Sequence, residues 1–272
     1  MDWKLIFHNN SELLEGPVYD TIHNFLYFVS ILDGMAYCMD LNTKEIVSIK
    51  LNSPVGCIFV SGKKTVLAAS KNGFYQIDFN TGKNNFAFQL DIPDTVRYND
   101  GTLDPLGRYL IGTMGYPQVK DRIGKVYSYH RGNYNVLIEG TTISNGLAFS
   151  KDGNTLYFID TPTKKVAKYK YDIKSGSATF DSNVIEFNGD GMPDGMCMDE
   201  EGMLWIAEWG GGQVSKWDPK NGKIINQIEL PCRNVSSCCL DNLGNLFVTT
   251  AKSDSPQDIL GGGLFYVNLV KN

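Results

Sequence analysis

Asp194-Gly-Met-Cys-Met-Asp199 reads as a polar residue, a Gly, three mostly apolar residues and then an Asp or Ser. The same pattern stands at Glu15-Gly-Pro-Val-Tyr-Asp20 and at Asn145-Gly-Leu-Ala-Phe-Ser150. Looser copies are Gly56-Cys-Ile-Phe-Val-Ser61, Asn99-Asp-Gly-Thr-Leu-Asp104 and Ser236-Ser-Cys-Cys-Leu-Asp241. A unit recurring every roughly 40–50 residues is the mark of a repeat architecture. After most copies a Gly-containing turn leads into an apolar run, such as Leu26-Tyr-Phe-Val29, Leu156-Tyr-Phe-Ile159 or Leu204-Trp-Ile-Ala207. A third run follows, as in Met35-Ala-Tyr-Cys-Met39 or Val214-Ser-Lys-Trp217. A fourth comes after a polar turn, as in Ile224-Ile-Asn-Gln-Ile-Glu-Leu230.

Short runs of this length bounded by Gly, Asn and Asp are strands, and four strands per unit make a propeller blade. The predicted fold is all-β: a six-bladed β-propeller, one domain spanning residues 1–272. Its blades fall at about 15–51, 53–90, 97–140, 143–187, 192–230 and 235–270 plus 1–8. The last unit has three strand-like runs, while Trp3-Lys-Leu-Ile-Phe7 is left over at the start of the chain. That segment is expected to complete the last blade. Closing the ring in this way removes the exposed edges of an open array.

The bulk properties narrow the function. A net charge of −5 and a pI near 5.3 argue against nucleic acid. The apolar runs are too short to span a bilayer, and Met1-Asp-Trp-Lys-Leu-Ile-Phe-His8 does not read as a secretory signal. Cys38, Cys57, Cys197, Cys232, Cys238 and Cys239 show no paired zinc spacing and read as buried thiols of a cytoplasmic protein.

In a propeller the first strand of each blade lines the central channel. The opening positions of the six copies (Glu15, Gly56, Asn99, Asn145, Asp194 and Ser236) are therefore expected at one height around the axis. Two are carboxylates and two are amides. Such an oxygen-donor set suits a hard cation such as calcium or magnesium. Arg97 precedes Asn99 by two residues, so it points to the same side of its strand. A salt bridge from Arg97 to Asp94 or Asp100 is the structural alternative.

The segments 97–108, 143–150, 193–205 and 236–239 resemble those of the regucalcin, gluconolactonase and luciferin-regenerating enzyme-like family, and the resemblance runs blade by blade along nearly the whole chain. It implies one divalent metal on the axis, with ligands at Glu15, Asn145 and Asp194. It places substrate contacts at Arg97 and Asn99. The ion expected first is calcium, with zinc, magnesium or manganese as alternatives. In Gly112-Thr-Met-Gly-Tyr-Pro-Gln118, Pro117 stands where regucalcin carries a further substrate-binding glutamate.

The expected activity is metal-dependent hydrolysis of a sugar lactone, a small-molecule substrate. The metal would act as Lewis acid, and Asp194 as ligand and general base. The alternatives are a non-catalytic calcium- or ligand-binding propeller and a metal-dependent phosphotriester hydrolase. His8, His23 and His130 share no ligand spacing, and no Gly-x-Ser-x-Gly elbow is present. Glu208 and Trp209 end a second strand near the channel mouth and read equally as pocket or turn residues. Gly210–Gly212 and Gly261–Gly263 read as turns.

Overall fold

The computed structural model describes residues 3–269. Of the expected last blade, Met1, Asp2 and residue 270 lie outside the described residues, as do residues 271 and 272. The first strand, β1, is Trp3–His8. The first unit then holds β2 Leu14–Asp20, β3 Phe25–Ser30, β4 Met35–Asp40 and β5 Ile46–Lys50. The second holds β6 Val55–Gly62, β7 Thr65–Ser70, β8 Gly73–Asp78 and β9 Lys83–Phe88. The third holds β10 Val96–Leu103, β11 Tyr109–Gly115, β12 Gly124–His130 and β13 Asn133–Thr141. The fourth holds β14 Ser144–Phe149, β15 Thr155–Asp160, β16 Lys165–Asp172 and β17 Ser177–Glu186. The fifth holds β18 Met192–Met198, β19 Leu204–Trp209, β20 Gln213–Asp218 and β21 Lys223–Glu229. The chain ends with β22 Asn234–Leu240, β23 Leu246–Ala251 and β24 Gly263–Val267.

The fold is an all-β propeller. Units one to four are separate four-stranded antiparallel sheets. The remaining eight strands form one sheet. In it β1-β24-β23-β22 adjoins β19-β20-β21 through a single bridge, Trp209 opposite Asn234, and β18 also pairs with β19. Each half repeats the four-strand order of the other sheets. β1 lies antiparallel to β24, with Trp3 opposite Val267 and His8 opposite Gly263, as the leftover N-terminal segment led us to expect. Among the described residues no helix is long and apolar enough to cross a membrane.

The second strands are almost wholly buried: every residue of β3, Phe25–Ser30, lies in the interior. Successive sheets pack face to face through these strands. One such layer joins Phe25, Tyr27 and Val29 to Ile58, Val66 and Ile77. The fourth strands face solvent, and β9 is largely exposed. First strands of successive units lie side by side, β2 on β6 and so on to β22, which returns to β2.

The Gly of the repeat belongs to this innermost contact. A Cβ on Gly195 would stand 2.1 Å from Ser237 Oγ and 2.8 Å from Ser237 Cα. On Gly146 it would meet Asp194 O at 2.8 Å. Neighbouring inner strands come closer here than any side chain permits. Gly195→Ala is expected to destabilise the protein by about 1–3 kcal/mol, the usual cost of overpacking. A urea midpoint unchanged from wild type would show that the two strands can part freely.

Candidate functional site

In each unit the ladder between the first and second strands slips register at the opening position of the repeat. The slips fall between Glu15 and Val18, Val55 and Cys57, and Tyr98 and Gly101. The others fall between Asn145 and Leu147, Pro193 and Met196, and Val235 and Ser237. A bulge bends the strand and re-aims the side chain beside it. Glu15, Asn99, Asn145 and Asp194 are thereby brought together, with Arg97, in one cavity of about 210 Å³. Leu13, Met114, Ile143, Thr161, Met192 and Trp209 complete its lining.

The polar residues are tied into one chain of hydrogen bonds. Arg97 Nη1 donates to Tyr98 O at 3.0 Å and to Asn99 Oδ1 at 2.6 Å. Asn99 Nδ2 donates to Ser144 O at 2.9 Å and to Asn145 Oδ1 at 2.7 Å. Asn145 Nδ2 donates to Thr161 Oγ1 at 2.8 Å, and that hydroxyl donates to Pro193 O at 2.8 Å, beside Asp194. Thr161 opens a short 3-10 turn, Thr161–Thr163, directly after β15. The chain thus crosses from the third unit to the fifth.

The two carboxylates are poorly supplied. Glu15 Oε2 accepts from the Gly16 N–H at 2.9 Å. Asp194 Oδ1 is buried with no hydrogen-bond partner. Burial, then the charge of Asp100, pushes the Glu15 carboxyl up to about 8 against the pull of the Gly16 N–H and Arg97. Burial, then the charges of Glu15 and Asp100, holds Asp194 well above the ordinary carboxylate range. Burial likewise lowers the Arg97 guanidinium to about 10, opposed chiefly by Glu15.

Two buried acids competing for protons, one with an orphaned oxygen, form a site short of positive charge. A divalent cation fits that deficit. Glu15 and Asp194 would hold it, with Asn145 Oδ1 contributing its second lone pair. Among the described residues no three His, Cys, Asp or Glu side chains converge into a cluster, so the donor set is two carboxylates and an amide.

Other expected residues fall elsewhere. Gly56 has no side chain to offer, and Ser236 Oγ donates to Leu14 O at 2.6 Å instead of lining the cavity. Arg97 directs its bonds to Tyr98 and Asn99, not to Asp94 or Asp100. Asp100 lines a second hollow of about 380 Å³ on the far side of the bulges. Burial raises its carboxyl to about 6, against the Gly101 N–H. Neither Pro117 nor Gln118 lines the candidate cavity. Glu208 is spent on Gln213 Nε2 at 3.0 Å and Ser215 Oγ at 2.5 Å, while its neighbour Trp209 does line the cavity. The three histidines stay outside it; His23 Nδ1 sits 2.8 Å from Asp20 Oδ2. The six cysteines are free thiols; Cys197 and Cys239 are only half-buried, with Cys197 Sγ 3.8 Å from Cys238 Sγ. Larger hollows of about 740 and 840 Å³ lie away from all of these groups and bring together no comparable set of buried acids.

Sequence reasoning missed Thr161, Leu13, Met114, Ile143 and Met192. Leu13, Ile143 and Met192 precede Glu15, Asn145 and Asp194 by two residues, as Arg97 precedes Asn99. That offset was the available signal.

A propeller with a polar, cation-deficient cavity at its axis is the class that fold and site define. Residues 13–252 match the family described as SMP-30/Gluconolactonase/LRE-like region, and the chain belongs to that family. It is 32% identical over 278 residues to the "Putative sugar lactone lactonase YvrE" of Bacillus subtilis, covering 99% of this chain and 95% of that one. It is 33% identical over 254 residues to regucalcin of Xenopus laevis, covering 90% and 85%. A solved structure titled a calcium-binding protein, regucalcin, from Agrobacterium tumefaciens superposes with a TM-score of 0.89 at 26% identity, covering 97% of this chain and 92% of that one.

Proposed function

We propose that the chain is a single-domain, six-bladed propeller, closed by β1, that hydrolyses lactones with one divalent cation held by Glu15, Asn145 and Asp194. The observation that carries this reading is the orphaned Asp194 Oδ1 beside a second buried carboxyl. The relatives' names supply the starting points: a sugar lactone as the first substrate to try, calcium as the first cation.

A bound divalent cation supplies Lewis-acid polarisation of the lactone carbonyl. Asp194 orients the attacking water and takes its proton; ligation makes it a weaker base than a free carboxylate. Water adds to the carbonyl carbon, the ring C–O bond breaks, and the ring oxygen takes the proton back from Asp194 and leaves as a hydroxyl, giving a hydroxy acid. Both bonds of Arg97 use Nη1, so Nε and Nη2 are uncommitted among the described residues and can meet the ring oxygen or the nascent carboxylate. Asn99 has spent both amide hydrogens and keeps one Oδ1 lone pair for a substrate hydroxyl.

A pH-stat assay over a lactone panel, with EDTA and with calcium, tests the reading. Acid release that needs the cation supports it. Tight cation binding with no lactone opened would favour the non-catalytic binding propeller, which the same buried acids also suit. Arg97→Ala is expected to lower kcat/KM roughly 10- to 150-fold, the loss of one charged hydrogen bond, with cation affinity undiminished. Calorimetry beside the kinetics separates those effects; a matching loss of cation affinity would make Arg97 a support of the cation site.

A further inference from the structure

The cavity has two tiers, and they differ in chemistry. The deeper tier is Glu15, Asn99, Asn145 and Asp194. Two residues earlier along the same segments stand Leu13, Arg97, Ile143 and Met192, which also line it. An offset of two returns to the same face of a strand, so the second ring is built by the same repeat as the first. Met114 and Trp209 join this tier from the second strands, where they lie opposite Arg97 and Met192. The second tier is therefore five apolar side chains and one guanidinium.

A polyhydroxylated lactone needs a partner for each hydroxyl it buries. The polar groups below are spent mostly on one another. Asn99 Nδ2, Asn145 Nδ2 and the Thr161 hydroxyl all donate within the protein. Glu15 and Asp194 are the proposed cation ligands. What remains for hydroxyls is Nε and Nη2 of Arg97, the Trp209 indole N–H, one lone pair each on Asn99 Oδ1 and Thr161 Oγ1, and an Asn145 N–H that faces Asp194. A buried hydroxyl without a partner is disfavoured, whereas hydrocarbon against Leu13, Met114, Ile143, Met192 and Trp209 gains from leaving water.

We propose, resting on the lactonase reading, that the natural substrate is a lactone whose ring carries a short alkyl chain instead of several hydroxyls. The deeper tier takes the ester group and the apolar tier takes the chain. The small volume, about 210 Å³, keeps that chain short.

The test compares δ-octalactone with δ-gluconolactone on the calcium-loaded protein. Their unreactive lactams, 6-propylpiperidin-2-one and gluconolactam, are titrated by calorimetry in parallel. The expected result is a kcat/KM at least about tenfold higher for the alkyl lactone, with the same order among the lactams. Trp209→Ala and Met192→Gln should each narrow that ratio; two variants guard against one that folds poorly. Hydrolysis of both lactones with gluconolactone equal or preferred would overturn this inference and leave the lactonase reading standing. Failure to open either lactone would overturn the lactonase reading, and this inference with it.

Discussion

Alanine at Asp194 is expected to abolish lactone turnover and to lower divalent-cation affinity by at least about 100-fold, the upper end of what is lost when only an outer-shell partner of a metal is removed. The proposed ligand set has only two carboxylates, and Asp194 is the one with an oxygen that nothing in the protein satisfies. The chain should still fold, because Asp194 faces the axial cavity and not the apolar layers between sheets. Removing a buried acid that struggles to ionise should make the metal-free variant at least as stable as the metal-free wild type. Calorimetric titration and a thermal melt in EDTA check both halves. Undiminished affinity would strike Asp194 from the ligand set. Glu15→Ala should follow closely, and Asn145→Ala less strongly, since an amide brings no net charge.

The metal-free protein should lose stability as the pH rises, by an amount on the order of a few kcal/mol. Burial, then the charge of Asp100, raises the Glu15 carboxyl from 4.5 to about 8. The folded chain therefore holds that proton more tightly than the unfolded chain does. Its contribution is fully present below about pH 4.5, declines as the pH climbs toward about 8, and is flat beyond. Glu15→Gln should reduce the slope, and Asp194 and Asp100, whose carboxyls burial also raises, should keep part of it. Saturating calcium should reverse it, because ligation requires the ionised carboxylate. Urea midpoints from pH 5 to 9, in EDTA and in calcium, measure this. A wild-type profile in EDTA that matches Glu15→Gln would mean that Glu15 ionises as freely as an exposed acid.

The repeat unit was legible because it is local: a polar residue, a Gly and a Gly-bearing turn lie within a dozen residues of each other. The strand order, the joining of Trp3–His8 to the last sheet and the meeting of Glu15, Asn99, Asn145 and Asp194 all follow from matching those units. The Gly residues proved to mark contacts between units, as Gly195 against Ser237 shows. The hydrogen-bond chain from Arg97 to Pro193 was not legible, since its links from Asn99 to Asn145 and from Thr161 to Pro193 join segments 46 and 32 residues apart and no local pattern prepares for them. Glu208 could not be placed from its position alone. Strand alternation turns it toward Ser215 while Trp209, one residue on, faces the cavity. The apolar tier was open to reading by the same two-residue offset that singled out Arg97. Leu13, Ile143 and Met192 carry no charge or hydrogen-bonding group to mark them, whereas Arg97 does.

The most direct test of the account is acid release from a lactone as calcium is titrated into EDTA-stripped protein, with binding followed by calorimetry in the same samples. Cation-dependent lactone opening predicts no turnover at the start, a rate that rises in step with occupancy to one calcium per chain, and neither signal in Asp194→Ala. Full-rate lactone opening by the stripped protein, or calcium bound to saturation with no lactone opened, would contradict it.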